Sequence, residues 1–314
     1  MARIVRDRLN ALLRKAILAA VSNRTVQRFV RRYGMRLGAS RFVAGETLDQ
    51  AVVALRRLNE RGLRTNTTLL GEGIRDREQA AAVAATYEDV LARIAAEHLQ
   101  TNLAVKLTHL GLALDEGVAL ENVDRVVGRA AELGIFVRID MEESAWVDAT
   151  LRIYRRLREQ GRSNVGVVLQ SYLYRSETDL ADLLPLGLNV RLVKGAYLEL
   201  PAIAYPKKPD VDAAYVRLLE RSLGESRFTA VATHDERLIE HAIAFAEREG
   251  IGSERFEFQM LYGVRPQLQL DLVRRGFGVL VATPYGPEWY LYLMRRLAER
   301  PANLLFFLRS LFAR

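Results

Sequence analysis

Five polar residues stand inside or at the end of apolar runs of β-type character: Lys106, Asp140, Arg191, Lys194 and Gln259. A charge in such a run is costly to desolvate unless it is paired or meets a ligand. Any one of them alone fits a structural ion pair as well as it fits a site. Five converging from four different runs fit a shared ligand site better. Cations predominate, because Arg295 and Arg296 follow the last run. A site of that sign suits anions, and two at once: a phosphorylated cofactor and a carboxylate substrate. Adjacent arginines offer forked donors to a carboxylate. On a helix they project about 100° apart, so one grips substrate while the other pairs elsewhere. Dibasic pairs also occur at Arg31-Arg32 and Arg56-Arg57, so a solvated pair is the competing reading.

The elements that would position these residues alternate. β-type runs fall at Thr65–Leu70, Leu103–Leu107, Phe136–Met141, Val165–Gln170, Val190–Val193, Phe228–Thr233, Phe256–Met260 and Val279–Ala282. Helical stretches lie between them at Arg77–His98, Asn122–Leu133, Ser144–Arg158, Val211–Leu223, Glu236–Arg248 and Gln267–Arg275. Such alternation predicts right-handed βαβ units and a parallel sheet. Eight units in about 250 residues fit an α/β fold of the closed (β/α)8 TIM type. An open doubly wound sheet is the alternative, since spacing does not show closure. In a barrel the site lies at the C-terminal strand ends, where the five polar residues fall.

Residues 1–63 read as a separate basic helical segment before a barrel spanning 64–314 with a C-terminal helix. Helices are expected at Val26–Arg36 and Leu48–Arg61, the latter with Thr47 as N-cap and Gly62 as stop. The segment holds 14 Lys and Arg against 4 Asp and Glu, an excess of +10 in a chain of net charge +8. It suits either a solvated helix face or an acidic partner, nucleic acid or anionic membrane. No nucleic-acid motif accompanies it, and nucleic-acid binding would leave the charges at the strand ends unexplained. The apolar run Leu304–Leu308 then Leu311-Phe312 reads as a cap on the barrel or an oligomer interface, with peripheral membrane docking as the alternative.

The 314 residues include no cysteine, which removes disulfides, thiolate metal sites and thiol catalysis. His98, His109, His234 and His241 lack metal-ligand spacing, so no metal is expected. His98 and His241 read as helix-surface residues, whereas His234 closes a strand. There is neither an apolar span long enough for a membrane helix nor a clean secretory signal, and the default expectation is cytoplasmic.

Four motifs carry a resemblance: Arg191-Leu-Val-Lys-Gly-Ala-Tyr197, Ala232-Thr-His234, Phe256-Glu-Phe-Gln-Met-Leu-Tyr-Gly263 and Tyr292-Leu-Met-Arg-Arg-Leu-Ala-Glu299. In this order, across residues 40 to 310, the chain resembles the proline dehydrogenases. It is most similar to the short monofunctional bacterial type, and similar also to the proline-oxidising domain of proline utilization A. The resemblance implies a distorted (β/α)8 barrel holding FAD non-covalently. It implies oxidation of L-proline to Δ1-pyrroline-5-carboxylate, the first step of proline catabolism, with electrons passed to a membrane quinone. By motif, Lys106, Arg295 and Arg296 would clamp the proline carboxylate. Asp140 would join the ion-pair network between substrate and flavin, and Arg191 would contact the flavin ring. Met141, Gln170, Val193, Lys194, Gly195, Ala196, Thr233, His234 and Glu299 would contact FAD. Tyr197, Leu261 and Tyr292 would enclose the pyrrolidine ring.

One departure from the resemblance and one decoy stand out. Many relatives have a tyrosine in the last strand where Val281-Ala282-Thr283-Pro284 here places Ala282, which predicts a roomier pocket and weaker discrimination against trans-4-hydroxy-L-proline unless a neighbour such as Tyr285 fills the gap. Gly71-Glu-Gly73 lacks the third glycine of a dinucleotide fingerprint and reads as a strand-to-helix turn. Two other dehydrogenase-unlike readings stay open at this level: a Schiff-base barrel aldolase using Lys106 or Lys194, and a nucleic-acid binder built on the basic segment.

Overall fold

The computed structural model describes residues 24–35, 38–71 and 73–299. The basic run Ile4–Leu18, Glu72 and the apolar run from Leu304 lie outside the described residues. Eight parallel strands close into a barrel in chain order: β1 (Arg64–Leu69), β2 (Thr101–Val105), β3 (Val137–Ile139), β4 (Val165–Gln170), β5 (Asn189–Val193), β6 (Phe228–Ala232), β7 (Phe256–Leu261) and β8 (Val279–Tyr285). Pairing of Asn66 with Ala282 in register joins β8 to β1 and excludes the open sheet. Every expected run is a strand.

The connecting helices are α3 (Arg77–Ala96), α4 (Glu116–Glu132), α5 (Ser144–Glu159), α6 (Ser176–Leu183), α7 (Lys208–Glu225), α8 (Glu236–Arg248) and α9 (Pro266–Arg274). Before the barrel come α1 (Arg24–Tyr33) and α2 (Leu48–Asn59), and after it α10 (Trp289–Glu299). Thr47 caps α2 by accepting the Gln50 N–H, and Gly62 behind it has φ +76°. Helix α4 starts six residues before the expected Asn122, because Asp115 accepts the Val118 N–H at 3.0 Å and caps it there. Helix α6 was not expected: in its eight residues only Leu180 and Leu183 face the core, too few to show a period.

Alternation along each strand sorts side chains between the helix layer and the barrel interior. In β5, Val190 and Leu192 are wholly buried against the helices. Arg191, between them, bonds to side chains that follow β3 and lie on β7, neither of which neighbours β5, so it crosses the interior.

Helix α2, grouped by sequence with the basic segment, contributes Ala51 and Leu58 to the barrel's main core. A second core holds α10: Trp289, Tyr290 and Leu293 are fully buried with Ala39, Val43 and Leu70. The chain before α2 is laced to the end of β8 by Ala44 N–H to Pro284 O (2.8 Å) and Gly286 N–H to Gly45 O (3.0 Å). Trp289 Nε1 donates to Glu46 at 2.6 Å. Gly263, the last residue of the third motif, has φ +73°, and a Cβ there would overlap the carbonyl of Arg41. That glycine admits the N-terminal backbone against the β7 exit.

Candidate active site

The C-terminal strand ends collect the predicted residues on one side of the barrel. Lys106 follows β2, Asp140 and Met141 follow β3, Gln170 ends β4, and Val193 ends β5 ahead of Lys194–Tyr197. Thr233 and His234 follow β6, and Leu261 ends β7. Lys106 and Tyr292 line one cleft with Leu69, Gly71, Glu288 and Leu291. Arg295, Arg296 and Glu299 lie in the backbone of α10 above β8, while their side chains are outside the described residues.

Arg191 is the centre of the interior. Its Nη1 donates to Asp140 Oδ1 at 2.6 Å and its Nε to Gln259 Oε1 at 2.5 Å. The residue is 8% exposed, and its Nη2 is buried without a hydrogen-bond partner among the described residues. A buried guanidinium nitrogen left unpaired is an open donor for an acceptor atom of a ligand. Below it, Arg138 crosses Gly166 of β4 to the Asn189 carbonyl (2.8 Å) and the Val167 carbonyl (3.1 Å). A Cβ on Gly166 would stand 2.4 Å from the Arg138 guanidinium, so the glycine makes that crossing possible. Burial, with the like charge of Arg191, pushes the Arg138 guanidinium down to about 9, and the Glu257 carboxylate opposes this.

The strand exits are tied to one another. Glu142, 5% exposed, accepts the Thr108 N–H (3.1 Å) and the Thr108 hydroxyl (2.6 Å), two residues beyond Lys106. Its own carbonyl accepts from Gln170 Nε2 at 3.0 Å. One residue thus fastens the exits of β2, β3 and β4. Burial pushes the Glu142 carboxyl above its ordinary 4.5, while the Thr108 hydroxyl pulls it back. Glu199 fixes the loop that carries Tyr197, accepting both Ser144 N–H and Ser144 Oγ–H at 2.7 Å. Gly195, at φ +110°, packs its backbone on the Tyr172 ring, where a Cβ would approach to 2.2 Å.

Several predicted cofactor contacts are engaged inside the protein. Lys194 Nζ pairs with Asp212 (2.6 Å) and Asp235 (3.4 Å), and Lys208 joins the same two carboxylates. Arg237, followed by Lys194, holds the Asp235 carboxyl down at about 2. An ammonium held between two carboxylates is poorly disposed to act as the free amine of a Schiff-base enzyme. Thr233 Oγ1 accepts the Asp235 N–H (3.1 Å) at the start of α8. His234 Nε2 accepts the Leu261 N–H at 2.9 Å, which leaves the ring proton to Nδ1. Met141 is buried in the main core. Ala196 is exposed and Tyr197 half-buried. His241 pairs with Glu220 at 2.8 Å, and His98 is an exposed residue just after α3.

Arg138, Glu142 and Glu257 were not among the sequence candidates. Their available signal was alternation: Arg138 shares a face with Asp140, and Glu257 shares one with Gln259.

These features define a TIM-type barrel that gathers charged and polar side chains at its C-terminal strand ends, with a buried guanidinium nitrogen of Arg191 that has no hydrogen-bond partner among the described residues. The proline dehydrogenase family profile matches residues 51–309. A proline dehydrogenase of Deinococcus radiodurans is 42% identical over 310 residues, covering 96% of this chain and 99% of its own. Proline dehydrogenase 1 of Bacillus subtilis subspecies natto is 40% identical over 300 residues, with the same coverage. Proline utilization A from Bdellovibrio bacteriovorus superposes with a TM-score of 0.80 at 24% identity, over 92% of this chain and 36% of that one. This chain therefore spans about a third of that structure, a likeness of fold. The chain belongs to the proline dehydrogenase family and is an enzyme of it. Among the described residues no helix is long and apolar enough to cross a membrane.

Proposed function

We propose that this chain oxidises L-proline to Δ1-pyrroline-5-carboxylate with FAD, the electrons passing on to a quinone. The observation that carries the reading is Arg191, charge-paired to Asp140 yet with Nη2 buried and unpartnered. That donor, with the strand-end cations, fits an electron-rich cofactor ring beside a carboxylate substrate. When bound, FAD supplies a two-electron acceptor for hydride from the proline ring. Arg191 would stabilise negative charge on the bound ring, and Asp140 would hold Arg191 in place. Lys106, Arg295 and Arg296 fix the carboxylate, which orients the donor carbon. Tyr197, Leu261 and Tyr292 exclude water from the transfer. Gly195, Ala196, Val193, Lys194, Thr233 and His234 would hold the cofactor, with Met141, Gln170 and Glu299 as further contacts.

The test is the visible spectrum of the purified protein before and after anaerobic L-proline. A flavin spectrum that bleaches supports cofactor and substrate together. A flavin spectrum indifferent to L-proline removes the substrate. A colourless protein that stays inactive with added FAD removes both. Peripheral contact with an anionic bilayer through the basic residues 1–63 would bring the quinone close, and failure to cosediment with anionic liposomes at low salt removes that part.

A further inference from the structure

A column of side chains runs through the barrel interior from the end opposite the mouth up to Asp140. Arg64 Nη1, at the start of β1, lies 3.2 Å from Glu257 Oε2. Glu257 Oε1 accepts from Gln259 Nε2 at 2.7 Å. Gln259 Oε1 accepts from Arg191 Nε at 2.5 Å, and Arg191 Nη1 donates to Asp140 at 2.6 Å. Glu257 and Gln259 are 3% and 4% exposed, so water does not substitute for either partner. An ionised carboxylate only accepts, so Glu257 obliges Gln259 to turn its amide NH2 downward and its oxygen toward Arg191. Arg191 is thereby held at Nε and Nη1, and Nη2 is the nitrogen left open.

We propose that Glu257 and Gln259 are positioning residues for the oxidation: Glu257 orients the Gln259 amide, and that amide sets the plane of the Arg191 guanidinium toward the flavin. The inference rests on the reading of Arg191 as a flavin contact. A column serving only to fill the barrel would affect stability without changing what Arg191 does to a bound ring. Reversing the amide would instead face a donor toward Arg191 Nε and displace the guanidinium.

The experiment uses the FAD-loaded enzyme. Proline bleaching of the wild-type flavin is measured first, and its failure would sink the cofactor reading rather than this one. Two variants follow, Gln259→Met and the exchange Glu257→Gln with Gln259→Glu. The exchange keeps the net charge of the column and again gives Arg191 Nε an acceptor. For Gln259→Met we expect kcat to fall roughly tenfold or more, with KM for proline changed less than about threefold. The flavin potential should move negative by the equivalent of roughly tenfold in the redox ratio, about 30 mV for a two-electron couple. The exchange should restore kcat to at least about fivefold above Gln259→Met. Should Gln259→Met fail to fold or to hold FAD, the exchange is compared with Glu257→Gln alone, and the same recovery is expected. The proposal is overturned if Gln259→Met keeps both kcat and potential near wild type, or if the folded exchange recovers nothing.

Discussion

Asp140→Ala removes the carboxylate that, among the described residues, is bonded to Arg191, and leaves that guanidinium in the barrel interior. Breaking a buried pair from one side costs about 3–5 kcal/mol, since a charge is left uncompensated. The Arg191 side chain is 10% exposed and that of Asp140 24%, so part of the carboxylate is already hydrated and the lower end applies. The Gln259 bond survives, but the like charge of Arg138 is then less balanced. A loss of about 3 kcal/mol lowers Tm by roughly 4–5 °C in a chain of 314 residues, at about 2.1 cal/mol/K of unfolding entropy per residue. The assay is denaturant unfolding at fixed FAD concentration, because bound ligand shifts apparent stability. Arg191→Met and the double variant complete a cycle. Removing both charges leaves no orphan, so the double variant should be more stable than the sum of the singles by about 2 kcal/mol. A coupling below about 0.5 kcal/mol would refute the reasoning, because the 2.6 Å contact would then carry no electrostatic weight.

Three further outcomes follow from the same structure. Trp289→Ala should destabilise by about 3–5 kcal/mol and raise KM for proline more than it lowers kcat, since Trp289 anchors the helix that carries Tyr292, Arg295 and Arg296; an unchanged KM in a folded variant counts against that role. Glu142 has its carboxyl pushed up by burial, so the folded state binds the proton more tightly than the unfolded chain. Its stabilisation is full below 4.5 and is lost as pH rises through the raised value. Glu142→Gln should therefore flatten the fall of Tm with pH just above 4.5, and parallel Tm–pH curves would contradict this. Ala282 stands in register with both Leu261 and Asn66, beside the expected ring pocket. The preference for L-proline over trans-4-hydroxy-L-proline in kcat/KM should thus stay under roughly a thousandfold, about 4 kcal/mol, and a larger ratio ends the idea.

Most of the strands were legible because they are short, largely apolar runs, and several are followed by a polar residue at the C-terminal end; β1, Arg64-Thr-Asn-Thr-Thr-Leu69, is the polar exception. That same rule exposed Lys106, Asp140, Arg191 and His234 without any knowledge of what faces them. Partners were not legible. Lys194 looked like an open cation at a strand end, yet it meets Asp212 from the first turns of α7, eighteen residues on, and nothing local to either residue marks the pair. Arg138, Glu257 and Gln259 show the deeper limit. Alternation says that Arg138 and Asp140 share a face, as do Glu257 and Gln259, but not that β3, β5 and β7 look at one another. Closure of the barrel decides that, because only a closed sheet brings alternate, non-adjacent strands within side-chain reach across its axis. In an open sheet with the same strands, Arg191 would have faced a helix layer and its charge would have needed a partner there. The ion pair at the mouth and the column beneath it therefore follow from topology as much as from residue type, and Gly166 marks where the backbone yields space for the neighbouring Arg138.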